Sequence, residues 1–384
     1  MGVERIKCLL VVIFSLFSSS IFAQDQHGET KQPKKRSFDA NEVIFGHVLD
    51  AHEFHFFSYK DGDGKEHAAI IPLPVILYSP QKGFSIFMSS KFHHGEEAYK
   101  GYSILTDEKI QKLKLNPKKY HAGQVVGTND SGDMDTSIEV YDFSLTRNVV
   151  QMIFALALLV WIMLSIAKKY KKGDGVNSAP KGTQSLLEPV INFVKDEVAK
   201  PNLGPKYQKY LPYLLTVFFF ILINNLVGLI PGTANVTGNI AFTMVLAVIS
   251  FIVILFSSNK HYWGHIINPP VPIGVKPILI PVEILGIFTK PFALMIRLFA
   301  NMIAGHIIII CLVSLIFIFG AMSKAIGWGF SPLSIAFVIF IYFIELLVAF
   351  LQAYIFTNLT AVFVGQAFEG GHDDTDHHED IAIV

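Results

Sequence analysis

The sequence predicts an all-α polytopic membrane protein. About five membrane-embedded helices are expected, the last two forming a long tilted hairpin. One amphipathic surface helix and a small β-containing N-terminal exported domain complete the expectation. Three observations carry it. The 384 residues are 52% hydrophobic and only 16% charged, with mean hydropathy +0.45, whereas a soluble domain carries about 25% charged residues. The charge deficit falls almost wholly after residue 147, where long apolar stretches recur. Ahead of it, short β-type runs alternate with turn residues.

The same composition excludes several function classes. Formal net charge is zero, so there is no basic footprint for nucleic acid. The two cysteines, Cys8 and Cys311, lie in apolar runs and define no disulfide framework. No G-x-x-x-x-G-K-[ST] pattern occurs, so no phosphate-cradling loop, nucleotide site or cofactor is expected in this chain. His47, His52, His55, His67, His93 and His94 match no metal-ligand spacing, and Asp61-x-Asp63-Gly64 lacks the rest of a calcium loop.

Residues 1–23 read as a signal peptide: Arg5 and Lys7 precede an apolar core at 8–17, and Ile21-Phe22-Ala23 offers a cleavage site. Residues 24–145 read as the exported domain, beginning with a polar, basic stretch. Asp61-Gly62-Asp63-Gly64 and Pro80-Gln81-Lys82-Gly83 each separate two candidate strands. The membrane domain is expected over 146–366. Its first span, 148–167, is about as long as a bilayer core requires. Lys168, Lys169, Lys171 and Lys172 follow it, which puts that end in the cytoplasm and the N-terminal domain outside. In 184–199, Leu187, Val190, Ile191, Val194 and Val198 repeat at helical spacing between charged residues, the pattern of an amphipathic helix at the inner surface. Spans at 211–230 and 239–256 flank an uncharged outer turn, and a proline-rich loop at 257–277 returns the chain inside. The apolar segments near 278–320 and 332–366 would each be roughly 50–65 Å long as helices, against a core of about 30 Å. Each must therefore be tilted, kinked or partly in the membrane plane, and Pro291 permits a kink. Residues 367–384 form an acidic, His-rich tail on the inner side.

Ionisable side chains inside membrane helices are costly and mark ion pathways. The hairpin carries Glu283, Lys290, Arg297, His306 and Glu345, with Asn301 and Gln352. Arg297 is a permanent charge deep in an apolar run and needs a partner. At about 100° per residue, Asn301, Ala304 and Ile308 share its face, so a second helix has room to approach. A structural ion pair with Glu283 or Glu345 is the other reading. His306 lies nine residues from Arg297, on the opposite face. Folding the hairpin near Ile326 sets His306 and Glu345 at one depth, with Gln352 further along the same face. Such a file can relay protons; it can equally be a buried pair that sets the hairpin register.

Four runs then resemble, in order, segments of the F-type ATP synthase subunit a family. They are Leu187-Glu188-Pro189-Val190-Ile191 through Glu197, Asn224-Asn225-Leu226-Val227-Gly228 through Pro231, Ala293-Leu294-Met295-Ile296-Arg297 through Met302, and Leu351-Gln352-Ala353-Tyr354 through Thr360. The resemblance covers roughly 145–366. It implies an ion-translocating stator subunit of a bacterial inner-membrane complex, non-catalytic in itself. The implied partners are a ring of c subunits, the subunit b stalk, the lipid bilayer, and H⁺ or Na⁺ as the translocated ion. It implies that Arg297 faces the ring carboxylate, with Asn301 beside it. His306, Glu345, Gln352 and Asn225 would line the outer half-channel, and Glu283 the inner exit. Met295 departs from a usually small residue, which predicts altered ring contact, and Gly228 replaces an acid found in some relatives. A self-contained secondary transporter would instead require an internal repeat, and none is visible; a non-conducting membrane scaffold would leave Arg297, His306 and Glu345 without a role.

Overall fold

In the N-terminal part, β-branched and aromatic runs bounded by turn residues form short antiparallel sheets. The computed structural model describes residues 50–368, apart from 61–65, 96, 117–119, 130–132, 136, 174–178, 181, 231, 268, 270 and 273. The expected signal peptide and C-terminal tail lie outside the described residues. Strands β1 (Glu53–Lys60) and β2 (Glu66–Pro72) pair on either side of the 61–64 turn signal. The Pro80-Gln81-Lys82 connection joins β3 (Pro74–Ser79) to β4 (Gly83–Met88), with Gly83 at φ 72°, a left-handed position that favours glycine. Strands β5 (Tyr102–Ile104) and β6 (Val125–Gly127) pair with each other. Helix α1 (Asp107–Lys112) is capped by the Thr106 hydroxyl, which accepts from the Lys109 amide. Strand β7 (Tyr141–Asp142) adds to β3, giving the order β4-β3-β7. Val75, Leu77, Phe92, Tyr102 and Val125 form the core beneath.

This domain is bonded to the first membrane helix, α2 (Arg147–Lys171), at its first turn. The Arg147 amide donates to the Ala51 carbonyl (2.9 Å), and the Asn148 amide donates to the Asp50 carboxylate (3.2 Å). A carboxylate is favoured there by the helix dipole. Beside the joint, His52 Nε2 and Asp142 Oδ2 lie 2.8 Å apart. Burial pushes the Asp142 carboxyl up, but hydrogen bonds with His52 and Ser144 outweigh it and hold it below the ordinary 3.8.

Among the described residues, five helical stretches are long and apolar enough to span a membrane: Arg147–Lys171, Thr183–Gly228, Ile240–Ser257, Lys276–Met322 and Lys324–Phe368. The second contains α3 (Thr183–Phe193), a π-helical turn at Val194–Ala199, α4 (Lys200–Leu203) and α5 (Tyr207–Gly228). The segment expected as a surface helix therefore runs on toward α5. It buries Val194, Val198, Ala199 and Leu203 in the core shared with the membrane helices, because its apolar stripe finds closer packing there than lipid offers. Helix α6 (Ile240–Ser257) follows, and the 257–277 loop contains a further helix, α7 (Lys260–Ile267). The hairpin is α8 (Lys276–Met322) and α9 (Lys324–Phe368), turning at Ser323 rather than near Ile326. Pro332 thus lies inside α9 instead of near its start, and α8 continues through Pro281 and Pro291. At 47 residues α8 is about 70 Å long, so it cannot stand upright in a core of about 30 Å.

Small residues let these helices touch. A Cβ at Gly327 would come 2.6 Å from the Gly320 Cα, and one at Gly365 would collide with the Asn202 carbonyl. Ser334 Oγ donates to the Leu312 carbonyl (2.6 Å), and Asn202 Nδ2 donates to Asn358 Oδ1 (2.8 Å).

Two outcomes test this packing. Gly365→Ala is expected to lower chain stability by about 1–3 kcal/mol, because backbone must move; unchanged thermal stability in detergent would contradict the contact. The folded Asp142 holds its proton less tightly than the unfolded one, so its pair with His52 stabilises the domain above pH 3.8 and is lost as pH falls below that value. Asp142→Asn should cost about 1.5 kcal/mol at pH 7, read as roughly tenfold faster hydrogen exchange at the Phe143 amide. That difference from wild type should vanish in acid.

Candidate functional site

Helix α8 packs through one side only. Leu294, Met295, Leu298 and Met302 are buried against the rest of the chain, while Arg297, Ala300, Asn301, Ala304 and Ile308 are exposed. The stripe shared by Arg297, Asn301, Ala304 and Ile308, expected from helical spacing, is thus an open face with small side chains flanking the guanidinium. Among the described residues Arg297 has no hydrogen-bond or ion-pair partner, so neither Glu283 nor Glu345 neutralises it. Met295, expected to alter contact on the ring side, is instead 5% exposed and turned into the subunit. It sits two positions from Arg297, about 200° around the helix.

On the opposite side of α8, the polar groups gather between α5, α8 and α9. Glu345 (7% exposed) and Gln352 (4% exposed) share the buried face of α9 with Ala349. Asn225, fully buried on α5, donates from Nδ2 to the Ala349 carbonyl (3.1 Å), between the levels of those two side chains. The Glu345 carboxylate lies so close over Gly305 that a Cβ there would collide with it. Gly305 precedes His306, which is half-buried, so the depth match of His306 and Glu345 holds although the turn lies elsewhere. Leu312 and Ser334 sit eleven residues either side of Ser323, whereas Gly305 and Glu345 sit eighteen and twenty-two away. The two helices slide past one another along the hairpin, and this shear offsets the displaced turn. Glu345 Oε2 and Asn225 Oδ1 are buried and have no hydrogen-bond partner among the described residues. Buried acceptors left unpaired are costly, so this file suits water or a transferable proton.

Glu283 is half-buried fourteen residues before Arg297, about 21 Å along the axis and nearly on its face. Burial first, and then the Glu283 carboxylate, push the Tyr262 phenol of α7 up. Lys290, midway, turns aside: its Nζ donates to Gln366 Oε1 (3.1 Å) and lies 4.9 Å from the Phe363 ring centre on α9. The polar groups therefore divide into one set behind α8 and another near Arg297's own face, at different levels along the helix.

Three further residues support the site and were not singled out from sequence. Asn224, fully buried beside Asn225, keeps Oδ1 unpaired among the described residues. Gln151 of α2 holds the connection between α5 and α6 by both its amide atoms, donating to the Ala234 carbonyl (2.6 Å) and accepting from the Ala234 amide (2.7 Å). Asn235 then donates to the Met302 carbonyl of α8 (3.1 Å), fixing the backbone next to Asn301. The available signal was a glutamine in the first turns of an otherwise apolar span. Among the described residues, no three His, Cys, Asp or Glu side chains converge as a metal site would require.

Comparison with known proteins bears on this arrangement. The family model ATP synthase A chain matches residues 149–365, more than half of the chain. A second model, Domain of unknown function (DUF8433), matches residues 43–143. The chain is 47% identical over 239 residues to an ATP synthase subunit a of Chloroherpeton thalassium, covering 61% of this chain and 69% of that relative. It is 41% identical over 246 residues to one from Myxococcus xanthus, covering 62% and 78% respectively. To one from Chlorobium phaeobacteroides (strain BS1) it is 38% identical over 333 residues, covering 80% of this chain and 96% of the relative. That last alignment covers more than residues 146–384 hold, so it reaches into the N-terminal domain. With its membrane helices matched from α2 to the end of α9 and its open arginine stripe inside that match, this multi-pass membrane chain belongs to the ATP synthase A chain family.

Proposed function

We propose that this chain is the ion-translocating stator subunit of an F-type ATP synthase. Arg297 faces the carboxylates of a rotating c-ring, and two half-channels open to opposite sides of the membrane. One observation carries the reading: a permanently charged side chain stands exposed on an apolar helix, flanked by Ala300 and Ala304, without a partner among the described residues. A guanidinium in hydrocarbon needs an anion. The open stripe leaves room for one on a neighbouring subunit's helix.

The path follows from the two polar sets. An ion enters from the outer side along Asn225, His306, Glu345 and Gln352 and neutralises a ring carboxylate. The neutral carboxyl rotates into lipid, returns after nearly a full turn, and releases the ion toward Glu283 on the inner side. Arg297, with Asn301 beside it, holds the intervening carboxylate charged and prevents ions from crossing directly between the half-channels. Each elementary charge gains about 2.3 kcal/mol per 100 mV, so several must cross per ATP. The lysines at 168–172 support a cytoplasmic C-terminal end for α2, which leaves the N-terminal domain outside and the C-terminus inside. Subunit b is the expected stalk partner, and the ion is H⁺ or Na⁺.

Passive ion flux and ATP synthesis, measured in vesicles holding the whole complex, test the central role. Arg297→Ala should abolish synthesis and open a voltage-driven leak, and Arg297→Lys should not restore coupling; undiminished synthesis in either would sink the reading. Gly305→Ala pushes a methyl group into the Glu345 carboxylate and should slow ion entry without opening a leak. Glu345→Gln, close in volume but unable to ionise, should slow entry at least as much. Normal transport in both variants would remove Glu345 from the path.

A further inference from the structure

The N-terminal domain carries a surface that the ion path does not use. In the β4-β3-β7 sheet, alternate side chains of β3 point inward as Val75 and Leu77. The register sets Tyr78 opposite both Phe84 and Tyr141, and Ile76 opposite Ile86. The outer face therefore gathers Tyr78, Phe84, Ile86, Met88, Tyr141 and Phe143 into one layer. Phe84 is 72% exposed, Ile86 64% and Phe143 62%. The Tyr78 ring centre lies 4.8 Å from that of Phe84 and 6.3 Å from that of Tyr141. The charge that touches the layer is the Glu139 carboxylate, which accepts from the Tyr141 hydroxyl (3.4 Å) at its rim. A contiguous apolar face of this kind marks a contact surface rather than one facing water.

Its place in the chain indicates what covers it. The chain leaves β7 through Phe143 and reaches α2 after four residues without regular structure. The Phe143 amide donates to the Ile76 carbonyl (2.9 Å), the Leu145 amide to the Pro74 carbonyl (3.3 Å), and the Arg147 amide to the Ala51 carbonyl (2.9 Å). The sheet is thus hydrogen-bonded as far as Leu145, two residues before a membrane helix whose own Ile153, Phe154, Leu156, Val160 and Trp161 are exposed. The apolar face therefore adjoins, along the chain, a membrane helix with an exposed apolar side. Its make-up, aromatic rings with aliphatic side chains and tyrosine hydroxyls at one edge, is that of side chains at the membrane–water interface. We propose that the outer face of the β4-β3-β7 sheet docks into the lipid leaflet at the N-terminal end of α2, so that the domain lies on the bilayer surface instead of standing away from it. The face extends about 13 Å from Leu145 to Tyr141 at strand spacing, whereas the interfacial zone of one leaflet is only about 5–8 Å deep. The sheet must therefore lie flat on the leaflet.

Depth-dependent quenching in the whole complex tests this, independently of the role of Arg297. Phe84→Cys, Ile86→Cys and Phe143→Cys, each labelled with bimane in a Cys8→Ser, Cys311→Ser background, are placed in vesicles containing a proportion of nitroxide-bearing lipid. Gln111→Cys, exposed on α1 and off the sheet, is the control. The expected result is loss of fluorescence with the nitroxide lipid at all three sheet positions, little loss with aqueous iodide there, and the reverse at position 111. Quenching by iodide but not by lipid would mean the face stands in water. Protection from both quenchers would mean a protein subunit covers it. Either result overturns the proposal.

Discussion

A fixed positive charge in a hydrocarbon environment constrains everything around it. Arg297 carries a guanidinium charge on an apolar stretch of α8. Within the chain, the side of α8 that might shelter it is taken up by Leu294, Met295, Leu298 and Met302. The charge is therefore displayed rather than neutralised. It falls to the remaining helices to hold α8 with that face open: α9 and α5 pack behind it, and Asn235 and Gln151 tie the connection between α5 and α6 to its backbone and to α2. At 47 and 45 residues, α8 and α9 are each far longer than an upright span, so neither can stand upright in a bilayer core.

Close approach of backbones decides where polar groups meet. In lipid there is little hydrophobic force between helices, so contact depends on small residues and hydrogen bonds. Gly305 lets the Glu345 carboxylate lie against α8, Ala349 lets Asn225 reach a carbonyl of α9, and Gly365 seats α9 against the segment at Asn202. Glu345, Asn225 and Asn224, gathered between α5, α8 and α9, each keep a buried acceptor without a hydrogen bond among the described residues. A site that only fixed the hairpin would gain by pairing them; open acceptors suit a path through which protons and water pass.

The N-terminal domain is joined to this apparatus by short bonds rather than by a loose linker. Asp50, Ala51 and Pro74 accept from backbone amides at and just before the start of α2, and His52 with Asp142 locks the strand that leads there. The alignment of a full-length relative into this region agrees with the domain being a shared feature rather than an appendage of this chain alone.

What could be read from the sequence was whatever depends on one dimension. Apolar length identified the spans from 148 onward, turn residues separated β1 from β2 and β3 from β4, and a rotation of about 100° per residue gave the Arg297 stripe. The pairing depth of His306 and Glu345 also emerged, although the turn was misplaced by three residues, because shear between the helices offset the difference. The order β4-β3-β7, the burial of Met295, the packing of the 194–203 segment against the membrane core and the two hydrogen bonds between Gln151 and Ala234 needed the tertiary structure. These depend on which surfaces far apart in sequence come together. Periodicity gives a side chain's angle about its own helix; only packing decides which angle faces a neighbour and which is left open.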